Sequence, residues 1–503
     1  MRLLFCCSAA AILIPRLCAP PGETDGLKDL ILRFRSAPIE LQVRGLLSLV
    51  EQGQTKGHLD EKALIEECFQ RAAGAQRDLP LEMIGSAITE DPDYLVVRAS
   101  RQGLDRLSLQ SWAVRLMLPR DKAKARELFA LMALPPYRRL SCADRLMDDP
   151  DRYYEALEGL LKIAFSAKDR ADGLHLALIR AELSKVTSPF QLEPVVKRLT
   201  ALDWTSAEYA QIVPAIGASL SNLRVDDRTF SAVARTLYGL IPRVEEFGLR
   251  ARAAGVAADP IALGIRQFLA AHFPAERCAD TAAAPKPPPE GVRMLPKPSH
   301  PQFEDESLPE VANYFNYKLR FAAYLPSTDL PPLVPEQMKP AKLLGGMEAK
   351  KLYWSNERQI TLLAKQLLWV PTQDRHFTDQ ERATADWQRR AAEYRQAIND
   401  YRRTEGQPAE SYFLHKVGLT MALWGLMPEG PVRVEVLTDV VRLLAGTDKY
   451  EVGLDLWVLG ARDVLERARR GRLDRTVAPE VLEALRQSGD DVLALLAATP
   501  SYL

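Results

Sequence analysis

Residues 41–50 read Leu41-Gln42-Val43-Arg44-Gly45-Leu46-Leu47-Ser48-Leu49-Val50, and the spacing of their apolar side chains decides the fold class. Val43, Leu46, Leu47 and Val50 stand at i, i+3, i+4 and i+7, which gathers them on one face of a helix turning every 3.6 residues. Outward from this stretch, between about Leu27 and Ala271, the theme recurs: apolar residues at helical spacing, a short break carrying Pro, Gly, Asp or Ser, then another helix. The pattern predicts helices at Leu59–Ala73, Asp93–Gln102, Leu107–Leu118, Asp121–Ala133, Asp151–Ser166, Arg170–Val186, Gln191–Leu202, Ser206–Leu220, Asp227–Leu240 and Pro260–Ala271. Period-two alternation bounded by turn residues, the mark of a strand, is close to absent. Helices joined by short links pack as antiparallel neighbours. The expectation is therefore an all-α protein of antiparallel helix pairs stacked as an α-solenoid-like array.

Composition changes after Cys278. The prolines from Pro285 through Pro301 cannot continue a helix and favour an extended connector, and a second cluster runs from Pro326 to Pro340. Between them, residues 307–325 read as one helix: Ser307 and Glu310 fit a capping box, and Pro309 falls in the first turn. Beyond the prolines a second helical domain is expected, with helices at Glu357–Val370, Thr378–Thr404, Glu410–Met427, Val432–Leu444, Val452–Arg470 and from Pro479 onward. Thr378 and Glu381 read as another capping box, and Trp387, Ala391, Tyr394, Ile398 and Tyr401 form a 4, 3, 4 and 3 seam that is too short for a coiled coil. The expected organisation is a signal peptide (1–19), an N-terminal helical domain (24–278), a proline-rich connector (279–341) and a C-terminal helical domain (342–503).

At 503 residues the chain exceeds the roughly 250 to 300 at which a single core stops growing, so more than one core is expected. An apolar content of 47% with 26% charged residues suits a folded globular chain. The 66 basic residues equal the 66 acidic ones, which gives no net field to draw in nucleic acid or an anionic membrane. Met1 and Arg2 precede the apolar run Leu3–Ile14, which is followed by Pro15 to Ala19, the layout of a secretory signal. That run falls short of the ~20 residues a membrane-spanning helix needs, and no later segment is long and apolar enough to span. Export to a periplasmic or extracellular location is expected. Lipid attachment at Cys18 is the alternative, but Pro15-Arg16-Leu17 lacks the small residues that precede a lipoprotein cysteine. Cleavage after Ala19 leaves Cys68, Cys142 and Cys278, too few and too widely spaced for a disulfide scaffold or a zinc site. Cys68 lies on the stripe Leu64, Ile65, Cys68, Phe69, Ala72, which places it in the core.

Leu109, Trp112, Ala113, Leu116, Ala125, Phe129 and Pro136 resemble the tetratricopeptide repeat, in which large and small apolar residues interlock two antiparallel helices. The likeness covers one unit, about residues 106–139. Alanine replaces the usual glycine, and Met132 stands at the later alanine position. What it implies is a helix pair suited to protein–protein contact.

Motifs for chemistry are missing. The histidines His58, His175, His272, His300, His376 and His415 never lie within five residues of one another, and no HExxH, EF-hand, phosphate loop or nucleophile elbow occurs. No metal or other cofactor is expected, and each histidine reads as a surface or capped residue rather than a ligand. The candidate catalytic residues are Asp148, Asp149, Asp151 and Glu155 beside Tyr153 and Tyr154, since paired carboxylates serve as acid and base and aromatic rings stack on sugars. The competing reading is a helix start, where acidic side chains accept free N–H groups, as in the similar Asp91-Pro92-Asp93. The candidate binding residues are Tyr314, Tyr317, Phe321 and Tyr324, a tyrosine-rich face between two proline breaks that also reads as packing surface. Arg467, Arg469, Arg470, Arg472 and Arg475 suit a phosphate or an acidic partner, but no aromatic is interleaved for stacking bases and cations are favoured at a helix end. The expected function is binding or scaffolding of a protein or peptide without chemistry of its own, because helix-pair arrays offer long faces to extended partners. Two alternatives stay open: a helical-toroid enzyme acting on polysaccharide through loop carboxylates, with a glycan as ligand, and a structural envelope protein.

Overall fold

The computed structural model describes residues 23–75, 103–134, 150–227, 229–230, 239–275, 379–403, 409–470 and 477–499. Among these residues all regular secondary structure is helical. The helices are α1 (Glu23–Ser36), α2 (Ile39–Glu51), α3 (Glu61–Ala72), α4 (Arg106–Met117), α5 (Lys122–Leu131), α6 (Asp151–Ile163), α7 (Ala167–Ala171), α8 (Leu174–Ser184), α9 (Pro189–Thr200), α10 (Ser206–Ser221), α11 (Leu240–Ala253) and α12 (Asp259–His272). Beyond residue 378 come α13 (Asp379–Arg382), α14 (Ala385–Asp400), α15 (Ala409–Leu426), α16 (Pro431–Ala445), α17 (Leu454–Arg469), α18 (Pro479–Arg486) and α19 (Asp491–Ala498).

The stripe on α2 behaves as its spacing requires, with Val43, Leu46 and Leu47 fully buried and Val50 nearly so. Caps set the helix starts. Asp60 accepts from Lys62 N (3.0 Å) and Ala63 N (3.2 Å) at α3, Asp105 from Ser108 N (2.9 Å) at α4, and Asp121 from Lys124 N (3.0 Å) at α5. At α10 the box is reciprocal: Thr205 Oγ1 accepts from Glu208 N, and Glu208 Oε2 accepts from Thr205 N (2.8 Å).

Packing follows two kinds of neighbour. Consecutive helices touch along most of the N-terminal half, as in α1 with α2, α2 with α3, α3 with α4, α4 with α5 and α5 with α6. Helices further apart in sequence also touch in succession: α2, α4, α6, α9 and α11 form one series, and α8, α10 and α12 another. The closest of these crossings is α10 on α12. A Cβ on Gly217 would stand 2.5 Å from Pro260 O, and one on Gly264 would stand 2.5 Å from Gly217 O. Backbone meets backbone there, so these two glycines set the depth of the contact.

In the C-terminal group α15, α16 and α17 pack in turn, α14 lies on α15, and α18 with α19 closes against α16. Trp457 is fully buried at its centre, and its indole N–H donates to Leu444 O at 2.9 Å. The seam residues Trp387, Ala391, Tyr394, Ile398 and Tyr401 are all buried. Arg44 of α2 lies near Arg462 of α17; burial first, then that like charge, pushes Arg44 down to about 10.

Several boundaries differ from the sequence reading. The expected helix Arg170–Val186 is two helices, because Gly173 adopts φ +73° and turns the chain left-handed between them. Thr378–Thr404 is broken ahead of Thr384, whose Oγ1 accepts from Trp387 N and starts α14. The stretch after Pro479 is split at Gly489 (φ +77°), with Asp490 capping α19. Helix α11 was not expected at all, since its arginines and glutamates blur the apolar stripe that buries Leu240, Ile241, Val244 and Phe247. Of the histidines, His175 and His272 lie away from the surface, at 1% and 0% exposed, and each ring is capped, His175 by Glu208 and His272 by Val225 O. The expected helices Asp93–Gln102, 307–325 and Glu357–Val370 lie outside the described residues.

Candidate functional site

Of the candidate carboxylates, Asp148 and Asp149 lie outside the described residues, while Asp151 opens α6 behind Pro150. Asp151 pairs with Arg198 (2.5 Å) and Lys197 (3.4 Å) of α9. Glu155 pairs with Arg115 of α4 (2.7 Å) and Arg152 (2.8 Å). Each carboxylate is therefore held by its own cations and ties α6 to a neighbour in the series. Tyr153 and Tyr154 are fully buried and turn inward, so neither ring is presented to a sugar. Tyr314, Tyr317, Phe321 and Tyr324 lie outside the described residues.

Buried polar ties run through the same region. Tyr153 donates to Glu182 Oε2 at 2.6 Å, and Lys185 reaches the other oxygen of Glu182 at 2.6 Å. Burial raises the Tyr153 phenol, and the adjacent Glu182 carboxylate raises it further. The Tyr154 hydroxyl is buried with no hydrogen-bond partner among the described residues. His175 Nε2 meets Glu208 Oε1 at 2.7 Å. Burial alone would raise Glu208, but the Thr205 N–H, His175 and the Thr205 hydroxyl hold it below the usual carboxylate range. Asp227, buried and thereby raised, accepts from Ser188 Oγ and from Thr229 N. Apart from the Tyr154 hydroxyl, these groups connect helices by satisfying one another. Among the described residues no cluster of three His, Cys, Asp or Glu side chains suits a metal ion.

The described residues form an open cleft in the C-terminal group, at the junction of α15, α16 and α17. It has a volume of about 620 Å³, within the range typical of ligand sites. Its wall is Trp424, near the end of α15 and 8% exposed. The guanidinium of Arg433, from the first turn of α16, lies 4.6 Å from the centre of the Trp424 ring, and that of Arg467, from the last turn of α17, lies 4.9 Å from it. Both side chains are anchored through Nε: Arg433 donates to Trp424 O (3.3 Å) and Arg467 to both oxygens of Asp463 (3.1 Å each). The Nη ends are left free of hydrogen bonds to described residues; the nearest carboxylate to Arg433 Nη1 is Glu429 at 3.9 Å. Helix α16 begins here with Gly430 at the cap position, which has no side chain to cap the helix, and Pro431 in the first turn. Val434, Leu437, Ala468 and Ala478 supply apolar lining, and Glu429, Glu435 and Glu480 share the rim.

Sequence reasoning reached half of this site. It singled out Arg467 and Arg470, and Arg470 lines the cleft while pairing with Glu466 at 2.7 Å. It found no aromatic within the arginine run, because the aromatic that serves it stands on another helix. The only local signal was the Gly430-Pro431 helix start beside Trp424 and Arg433.

No helix among the described residues is long and apolar enough to cross a membrane. In comparisons with known proteins, the chain matches no family model, no curated protein and no solved structure.

Proposed function

We propose that this chain is an exported helical binding or scaffold protein that engages a protein or peptide and carries out no reaction itself. The supporting observation is the order of helix contacts. Helices that are not consecutive touch in two series, α2 to α11 and α8 to α12, while consecutive helices link them. A solenoid-like stack arises when each helix pair hides its apolar stripe on the next, and such stacks offer extended faces to extended partners. The Trp424 cleft adds a concave, partly apolar site with positioned guanidinium groups, the composition of a recognition site. Export is supported by the charged start and short apolar run at residues 1–19.

The test is capture of partners from the native envelope fraction by the chain lacking residues 1–19. Retention of one protein at a saturable, stoichiometric level is expected. Retention of a glycan alone, released as shortened fragments, would favour a carbohydrate-degrading enzyme instead.

A further inference from the structure

We propose that the Trp424 cleft holds a single carboxylate, presented by an acidic side chain within a peptide segment of the partner whose neighbouring residues are neutral or basic. This deepens the binding function above and rests on it. The first support is pre-organisation. Arg433 and Arg467 are 23% and 24% exposed, each is fixed through Nε, and each keeps its Nη groups for a ligand. A guanidinium held in this way loses little freedom on meeting a planar carboxylate, which it can grip with two parallel N–H donors.

The second support is charge. Two guanidinium groups pack on one indole ring and both line the cleft, so an anion seated there would be met by two cations at once. The N-terminal end of the α16 dipole lies at the same place and favours negative charge there. The third support chooses the kind of anion. Glu429, Glu435 and Glu480 ring the cleft, and Glu435 is already paired with Arg395 at 2.7 Å. A phosphodiester strand or polyphosphate brings a charge at every repeat and would meet those glutamates. One carboxylate flanked by amide N–H groups or a lysine would not. Val434, Leu437, Ala468 and Ala478 then take apolar side chains on either side of it.

The experiment pans a random heptapeptide display library on the full chain and on Arg433→Gln/Arg467→Gln. The best peptide, its carboxamide counterpart and a polyphosphate are then titrated calorimetrically. One acidic position with neutral or basic neighbours should be enriched on the wild type alone. Replacing that carboxylate, or both arginines, should weaken binding roughly 10- to 100-fold, and the two changes together should do little more than either one. Arg433→Lys/Arg467→Lys keeps charge and bulk; it should fall between wild type and the glutamine variant, which guards against a folding defect in the latter. Peptides without an acidic position, equal affinity for the glutamine variant, or tighter binding of polyphosphate would overturn the inference. If envelope capture still succeeds in that case, the binding function stands and only this site is wrong. If neither peptide nor envelope protein is retained, both are wrong.

Discussion

Replacing Gly264 by alanine should loosen the α10–α12 crossing even though alanine is the better helix former. The added Cβ would stand 2.5 Å from Gly217 O, 3.0 Å from Leu220 Cβ and 3.2 Å from Gly217 C. Ordinary contacts begin near 3.4 Å, so the helices must part by the better part of an ångström, and the nearest atoms are backbone with no rotamer to change. Helix propensity favours alanine over glycine by about 1 kcal/mol, while overpacking of this kind costs about 1–3 kcal/mol. Separation also weakens the packing of buried Ile216, Leu220, Ile261 and Ile265 along the same contact. The net expectation is a loss of about 1–2 kcal/mol, the strain exceeding the propensity gain. Gly418 on α15, with nothing within 4 Å of its added Cβ, is the control: Gly418→Ala should stabilise its helix by about 0.5–1 kcal/mol. Because a chain of this size need not unfold in one step, native-state hydrogen exchange of the α10 and α12 amides is the suitable assay. Gly264→Ala with protection equal to or above wild type would show that the two helices do not meet as closely as described.

Other expectations follow from the buried polar groups. Tyr153→Phe should destabilise by about 1–3 kcal/mol, because it takes a hydrogen-bond donor from the buried Glu182 carboxylate, whereas Tyr154→Phe should be neutral or stabilising; in urea titrations only Tyr153→Phe should shift to lower denaturant. Arg198 joins Asp151 (2.5 Å) to Glu158 (3.1 Å) and is 20% exposed, so Arg198→Met should lower amide protection across α6 and α9 by about 1–2 kcal/mol, less than a fully buried pair because water still reaches it. His415 is pushed down to about 4 by burial, below its unfolded value of about 6.5. The unfolded chain therefore takes up the proton first on acidification, and this part of the stability is complete above about pH 6.5 and lost as pH falls toward about 4. Exchange protection of α15 should drop between pH 7 and pH 5, and less so in His415→Gln; an unchanged slope in the variant would remove His415 as the cause.

How much was legible depended on the range of the signal. Periodicity located α2, α3, α4, α6, α10 and the seam on α14 because each depends on residues a few positions apart. Breaks inside apparently continuous helices escaped, since Asp172-Gly173 and Ala383-Thr384 interrupt the chain without interrupting the apolar count. The carboxylates Asp151 and Glu155 stood out in sequence as a cluster. Their cations come from α4 and α9 as well as α6 itself, which local spacing does not reveal. The buried state of His175 and His272 escaped for the same reason: Glu208 and Phe230 meet them only after folding. The cleft is the extreme case, since Trp424, Arg433 and Arg467 come from three helices and converge only through packing of α15, α16 and α17.

Binding without chemistry is tested most directly by weighing what the protein holds. The purified chain is incubated with the partner it captures, and the eluted partner is measured by intact mass spectrometry. An unchanged mass together with saturable, reversible retention is expected. A partner returned cleaved, or carrying an added or missing group, would contradict the binding function and make the protein a catalyst.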